Sequence, residues 1–197
     1  MDAIGATTLI DRFYSGKPTL ELTRIKEQWI LGSFATRFNK YYATQLIWAF
    51  HHPPNTKRAD FSVYGRDRSL VCDIEVTSVW SKPTVKNPKG YEDFSPYPIY
   101  RDPSDPTIAH IDINQRPKNQ PYSTLKRVIE MHLRDDYPPY WLVIWDNEHG
   151  VSKPNLDELA LLVGKILETK RQRGNLPPNL QQVWVFDEND PKARQVQ

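Results

Sequence analysis

The sequence predicts an α/β protein, in which helices flank a central sheet. Two observations predict this class. Three segments carry apolar residues at helical spacing, and several short runs are continuously apolar, as in buried strands. A chain of 197 residues with 39% hydrophobic residues is long enough to bury a sizeable core. We therefore expect a single domain over residues 1–197.

The predicted elements follow the order helix, three strands, helix, strand, helix, strand. In the first helix Leu22, Ile25 and Trp29 recur on one face. In the last helix the apolar face is equally regular, and Gly174 is placed to end it. A short helical turn is expected at Thr7–Tyr14. The predicted bounds of the main elements are Thr19–Asn39, Ala43–Phe50, Asp60–Tyr64, Leu70–Val79, Ser123–Asp135, Trp141–Trp145, Asn155–Arg171 and Gln182–Phe186.

A proline-rich insertion at about 81–121 separates the third strand from the second helix. It holds 8 of the 17 prolines and mixes basic residues with tyrosines. Basic side chains bind phosphates, and aromatic rings stack on unpaired bases, so this insertion is a candidate nucleic-acid-binding segment. A packed surface loop or part of a dimer interface is the alternative interpretation. The candidate nucleic-acid-binding residues are Lys86, Lys89, Arg101, Arg116 and Lys118.

Composition limits the classes of protein that fit. The net charge is only +2, so a nucleic-acid binder would rely on a local basic patch. The single cysteine, Cys72, allows no intrachain disulfide and is typical of a reducing cytoplasm, which we take as the expected location. No run of 18 apolar residues and no signal peptide are apparent, so no membrane association is expected.

Acidic residues lie inside two segments that otherwise have the apolar character of buried strands. In 71–77, Asp73, Glu75 and Thr77 alternate with apolar residues and share one face. The turn residues at 65–68 predict a hairpin that brings Asp60 beside Asp73 and Glu75. Converging carboxylates form an all-oxygen site that suits Mg²⁺ or Mn²⁺. The alternative is that these acids face solvent on one side of an antiparallel sheet.

This stretch resembles the PD-(D/E)XK nuclease superfamily, in its variant with the sequence EVT. In that superfamily one strand of a hairpin carries an Asp, and the next carries a Glu or Asp followed two residues later by Lys. Asp60 and Glu75 match the two acids, whereas Ala59 replaces the usual Pro and Thr77 the usual Lys. The resemblance covers about residues 20–146. It implies a restriction-endonuclease-like αβββαβ core with a mixed central sheet flanked by helices, extended here by a C-terminal helix and strand.

The resemblance also implies roles for individual residues. Asp60 and Glu75 would be ligands of Mg²⁺ or Mn²⁺, together with the peptide carbonyl of Val76. Asp73 is a candidate third acid, or else a half-exposed strand residue. Thr77 would order the attacking water by hydrogen bonding, or else be an ordinary strand threonine.

A positive group and a further acid are expected from the helices. We expect Lys126, near the start of the second helix, to supply the charge of the missing motif Lys, and the alternative is a solvated surface lysine. Some superfamily members direct a Glu from the first helix towards the metal. Glu27 and Glu21 are the candidates here, and Glu27 is preferred because it lies in the more apolar half of the helix. The alternative is a solvent-facing helix glutamate. His51 is interpreted as a loop residue and His132 as a core residue.

The predicted function is metal-dependent hydrolysis of DNA phosphodiester bonds by an endonuclease. The first alternative is an inactive nuclease-like fold that binds nucleic acid or a protein, which the missing Lys favours. The second alternative is an RNA-directed nuclease, because the sequence does not separate DNA from RNA. A homodimer would be required for one small domain to cut both strands of a duplex.

Overall fold

The computed structural model describes residues 2–3, 20–53, 56–79, 99–101, 109–111, 121–146 and 155–197. They form three helices, named α1 to α3, and nine strands, named β1 to β9. The helices are α1 (Leu20–Tyr41), α2 (Pro121–His132) and α3 (Leu156–Gln172). The strands are β1 (Asp2–Ala3), β2 (Trp48–His51), β3 (Phe61–Tyr64), β4 (Leu70–Ser78), β5 (Ile99–Arg101), β6 (Ala109–Ile111), β7 (Tyr140–Asp146), β8 (Leu180–Asp187) and β9 (Arg194–Gln195).

A mixed seven-stranded sheet in the order β1-β2-β3-β4-β7-β8-β9 organises the fold. Strands β2, β3 and β4 form an antiparallel meander. Strand β7 then pairs parallel to β4, and β8 pairs parallel to β7. The two parallel connections contain α2 and α3, because parallel neighbours require a crossover that a helix normally supplies. Strand β4 is therefore central, with a neighbour on each side.

Helices cover both faces of this sheet and bury two hydrophobic clusters. On one face α1 contributes residues such as Ile30 and Phe34, which pack with Cys72, Ile74 and Val76 of β4. On the other face α2 and α3 pack over β7 and β8 through a second cluster. The predicted α/β class, with a mixed sheet flanked by helices, is confirmed. The alternation along β4 is also as predicted, and it directs Asp73, Glu75 and Thr77 towards the α2 side, where all three are buried.

The first long strand differs from its prediction. We expected a strand over Ala43–Phe50, but β2 begins only at Trp48. The preceding segment is held as a loop by the side chain of Asn39, which donates to the carbonyl of Leu46 at 2.8 Å and accepts from its N–H at 2.7 Å. Because the Asn39 amide satisfies both the N–H and the C=O of Leu46, these groups are not available to pair with a neighbouring strand.

The proline-rich insertion falls mostly outside the described residues. Only the antiparallel pair β5 and β6 is described there. Lys86, Lys89, Arg116 and Lys118 lie outside the described residues, as does the predicted turn at Thr7–Tyr14. Arg101 ends β5. The nucleic-acid role of all five basic residues stays a prediction. Among the described helices, none is long and apolar enough to span a bilayer.

The start of α3 provides a test of local stability. The Asn155 side chain accepts from the N–H of Glu158 at 2.9 Å, and the Glu158 carboxylate accepts from the N–H of Asn155 at 3.1 Å. We expect Asn155→Ala to lower the free energy of unfolding by about 1 kcal/mol, because this reciprocal cap satisfies two N–H groups at the helix start. Urea denaturation measures the loss, and Asn155→Ser should retain most of the stability. A loss equal in both variants would contradict the capping role.

Candidate active site

Asp60, immediately before β3, lies opposite Glu75 in the middle of β4. Phe61 pairs with Ile74 in this antiparallel ladder, so the next opposed position holds Asp60 and Glu75. Each carboxylate also accepts a hydrogen bond from the other strand. The N–H of Asp60 donates to Glu75 Oε2 at 3.2 Å, and the N–H of Val76 donates to Asp60 Oδ2 at 2.9 Å. The predicted approach of Asp60 to Glu75 is therefore present in the structure.

This pair places two like charges next to each other. Burial raises the pKa of Asp60 well above its usual range, and the charges of Glu75 and then Glu27 raise it further, while the N–H of Val76 opposes the shift. Like charges directly opposed across a sheet destabilise the folded state. Such pairs persist where a cation or a proton neutralises them, so this arrangement is typical of a functional carboxylate pair.

His132 contacts the second carboxylate from α2. Its Nδ1 lies 2.8 Å from Glu75 Oε1, so an ionised Glu75 requires a proton on Nδ1 and accepts from it. The end of α2 is held by Tyr140, whose hydroxyl donates to the carbonyl of His132 at 3.2 Å and accepts from the N–H of Arg134 at 2.9 Å. Burial raises the pKa of Tyr140 to about 12, so this hydroxyl remains protonated at neutral pH. His132 is thus positioned against Glu75 from both the helix and the sheet.

Helix α1 contributes Glu27 to the cleft beside Asp60, while its predicted role as the helix acid stays a prediction. Glu27 Oε2 lies 2.8 Å from His51 Nε2, and its charge acts on Asp60. The interpretation of His51 as a loop residue is wrong, because it ends β2 and stacks on Phe61 with 4.4 Å between ring centroids. Glu27 and His51 therefore form the wall of the site beside Asp60.

Asp73 belongs to a separate buried chain of hydrogen bonds. The hydroxyl of Ser62, its neighbour across the hairpin, donates to Asp73 Oδ1 at 2.5 Å. His52 Nε2 lies 2.8 Å from the same hydroxyl and donates to it. Burial lowers the pKa of His52, and Arg58 and His51 lower it further, while Asp73 opposes the shift. One oxygen of Asp73 is thus committed to Ser62, and its predicted role as a third metal ligand stays a prediction.

A polar cleft opens beside the carboxylates. Its volume is about 110 Å³, and it lies between the α1 side and the segment that follows α2. Asp60 and Glu27 line it together with His51 and His52. Its remaining lining includes Thr23, Arg24, Thr56, Arg58 and Tyr137. A polar ligand that enters this cleft therefore contacts Asp60 directly.

The remaining predicted residues lie as follows. Thr77 is buried on the same face as Glu75, two residues along β4. Lys126 is exposed on α2, and its charge acts on Glu130 one turn later. No contact joins Lys126 to Asp60 or Glu75 among the described residues, so its catalytic role stays a prediction. The group that does reach Glu75 from α2 is His132, six residues further along.

The oxygen donors can be tested against a divalent cation. Among the described residues, no three His, Cys, Asp or Glu side chains are grouped closely enough to form a metal site by themselves. Mg²⁺ often uses only one or two carboxylates and completes its shell with water and substrate phosphates. The Asp60–Glu75 pair, with its two carboxylates opposed and Asp60 lining a polar cleft, fits that smaller donor set.

Comparisons with known proteins add no relatives. No protein-family model matches the chain, and neither a curated protein nor a solved structure matches it significantly. The function is therefore inferred from the residues of the site.

The raised pKa of Asp60 predicts a pH dependence of stability. Below the ordinary value of 3.8, Asp60 is protonated in both the folded and the unfolded chain. As pH rises above that value, the unfolded chain releases the proton first, so the free energy of unfolding falls until the raised folded pKa is passed. We expect the free energy of unfolding of Asp60→Asn to exceed that of wild type by an amount that grows across this interval. At higher pH the difference should stay constant. Urea denaturation of both proteins from pH 4 to pH 8 measures it, and a difference independent of pH would contradict the shift.

Proposed function

We propose that the protein is a metal-dependent nuclease that hydrolyses phosphodiester bonds, with DNA as the expected substrate. The observation that carries the proposal is the opposed pair Asp60 and Glu75. Glu75 is buried and Asp60 is half-buried. The two carboxylates face each other across two strands, and Asp60 lines a polar cleft. The order of the elements and the meander followed by a parallel strand support a restriction-endonuclease-like core.

Asp60 and Glu75 would hold Mg²⁺ or Mn²⁺, with the carbonyl of Val76 as a further candidate ligand. When bound, such a cation polarises the phosphate and lowers the pKa of a water molecule. His132 keeps Glu75 oriented through the 2.8 Å contact to Oε1. Glu27, paired with His51, adds negative charge beside Asp60 and strengthens the attraction for a cation. These contributions come from α1, β2, β4, α2 and the residue before β3, so the fold is needed to assemble them.

Two residues are candidates to supply the positive charge that the motif Lys carries in the superfamily. Lys126 remains the one that the sequence predicts. His132 is the second, because it already touches Glu75 from the same helix. Thr77, in the motif position itself, offers only a hydroxyl. Lys126→Ala in a cleavage assay separates them, because a large loss of rate would assign the charge to Lys126 and a wild-type rate would leave His132. His132→Gln should lower the rate in either case, since it also removes the contact that orients Glu75.

A non-cutting binding module is the second candidate function. Thr77 at the position of the motif Lys favours it, and so does the lack of a third closely grouped ligand among the described residues. An RNA-directed nuclease and a homodimer remain proposals on the same site. Against the binding module, two carboxylates kept close together destabilise a fold that has no use for a cation.

A cleavage assay separates these functions. Labelled plasmid DNA, single-stranded DNA and RNA are incubated with the protein in Mg²⁺, Mn²⁺ or EDTA, beside Glu75→Gln. Cutting that requires the metal and is lost in Glu75→Gln would support the nuclease and identify its substrate. Absence of cutting by folded protein with every substrate and metal would reject the nuclease in favour of the binding module.

A further inference from the structure

Two arginines line the cleft without a carboxylate partner among the described residues. Arg24 projects from α1 and Arg58 from the segment before β3, and both side chains are exposed. In the described part of the chain, neither guanidinium group makes an ion pair or a hydrogen bond. The two guanidinium groups are therefore available to an anion that enters the cleft.

Available acids next to these arginines are used elsewhere. Arg24 lies three residues from Glu27, a spacing at which ion pairs form on a helix, but Glu27 pairs with His51 at 2.8 Å. Arg58 lies two residues before Asp60, whose Oδ2 accepts from the N–H of Val76 at 2.9 Å. The cleft therefore presents both acidic and basic side chains. Such a lining suits a ligand that brings a cation to the acids and phosphates to the arginines.

An aromatic ring completes the lining. Tyr137 is half-buried and lines the cleft together with Asp60. Burial raises the pKa of its hydroxyl, and the charge of Glu75 raises it further. Its backbone carbonyl accepts from Asn179 Nδ2 at 2.6 Å, and its ring packs against Tyr140 with 5.6 Å between centroids. A fixed aromatic ring beside basic groups is the arrangement that binds unpaired bases.

We propose that this cleft binds single-stranded nucleic acid, with Arg24 and Arg58 on its phosphates and Tyr137 stacked on a base. The assignment of the cut phosphodiester to Asp60 and Glu75 rests on the proposed function. An unpaired base offers a free face on which Tyr137 stacks, whereas the paired and stacked bases of a duplex do not. Guanidinium groups match phosphate oxygens in a fork geometry, so they hold a backbone without regard to base sequence.

Fluorescence anisotropy tests the proposal. Labelled 12-nucleotide DNA and RNA single strands and a DNA duplex are titrated with Asp60→Asn protein, which removes a repulsive charge, and gels verify that the probes stay intact. We expect single strands to bind at least about 10-fold more tightly than the duplex. Arg24→Gln combined with Arg58→Gln should weaken binding at least about 10-fold and reduce the slope of log affinity against log salt by about 1.4, or about 0.7 per phosphate contact. Tyr137→Leu should weaken binding about 10-fold.

The matched control is Arg66→Gln combined with Arg173→Gln, which removes the same charge from exposed positions outside the cleft. An equal loss in the control, a preference for the duplex, or no binding of any probe would overturn the proposal. A cleavage assay with Arg24→Gln and Arg58→Gln, made in a protein that keeps Asp60, separates this proposal from the proposed function. Metal-dependent cutting that is indifferent to Arg24 and Arg58 would reject only the arginine site. Binding that depends on both arginines, with no cutting in Mg²⁺ or Mn²⁺, would support the site and reject the nuclease.

Discussion

Asp60→Asn is expected to lower the rate of metal-dependent cleavage by about 100- to 10,000-fold while raising the melting temperature by a few degrees. The rate falls because one of two carboxylates that would hold the cation is lost, and losses of this size follow removal of a group that stabilises charge in a transition state. Stability rises because the neutral amide removes the repulsion between Asp60 and Glu75, and its oxygen can still accept from the N–H of Val76 at the position of Oδ2. Opposite changes in activity and stability are typical of a functional site.

Initial cleavage rates and thermal unfolding monitored by circular dichroism measure the two effects. Asp67→Asn is the matched control, because Asp67 is exposed on the turn between β3 and β4. We expect this control to cut as fast as wild type. Cleavage by Asp60→Asn at the wild-type rate would show that Asp60 is not part of the active site. A melting temperature below that of wild type would show that the carboxylate stabilises the fold.

Phe34→Ala is expected to lower the free energy of unfolding by about 3–5 kcal/mol. Phe34 is fully buried in α1, and its ring lies 5.7 Å from Trp184 and 6.2 Å from Phe186, both on β8. Alanine leaves a cavity between α1 and the sheet that these large neighbours fill poorly. For a chain of 197 residues, about 2–4 °C per kcal/mol corresponds to a fall in melting temperature of about 6–20 °C.

Urea and thermal denaturation measure this loss. Leu161→Ala is the matched control, because Leu161 is a 59% exposed apolar residue on α3 and its truncation should change stability by less than about 0.5 kcal/mol. Equal losses in the two variants would contradict the packing of α1 on the sheet. Because Glu27 lies on α1, Phe34→Ala should also weaken metal-dependent cleavage near its melting temperature.

The hairpin that carries the acids could be predicted because every signal for it is local. Alternation along β4 assigns Glu75 to one face and Ile74 to the other, and the turn at 65–68 sets the pairing of the two strands. The N–H of Gly65 donates to the carbonyl of Ser69 at 2.9 Å, which closes that turn. The long helices were predicted for the same reason, since a periodic apolar face extends over several turns.

The walls of the site could not be predicted, because their contacts join distant parts of the chain. His132 is 57 residues from Glu75 in sequence, and the apolar neighbours of His132 indicated a core position. Which side chain of α2 reaches β4 depends on how the helix is rotated over the sheet. Ser62 was also missed as the partner of Asp73, although the hairpin register places the two opposite each other. The pair His51 and Glu27 similarly depends on how α1 lies over the edge of the meander.

Calorimetric titration of Mn²⁺ into the wild-type protein and into Glu75→Gln at pH 7 tests the central claim most directly. We expect saturable binding by wild type and an affinity at least about 10-fold lower for the variant, because glutamine keeps the shape of the glutamate side chain without its charge. Circular dichroism verifies that both proteins are folded. Equal binding by both proteins, or no saturable binding by wild type at millimolar Mn²⁺, would contradict a metal centre at Asp60 and Glu75.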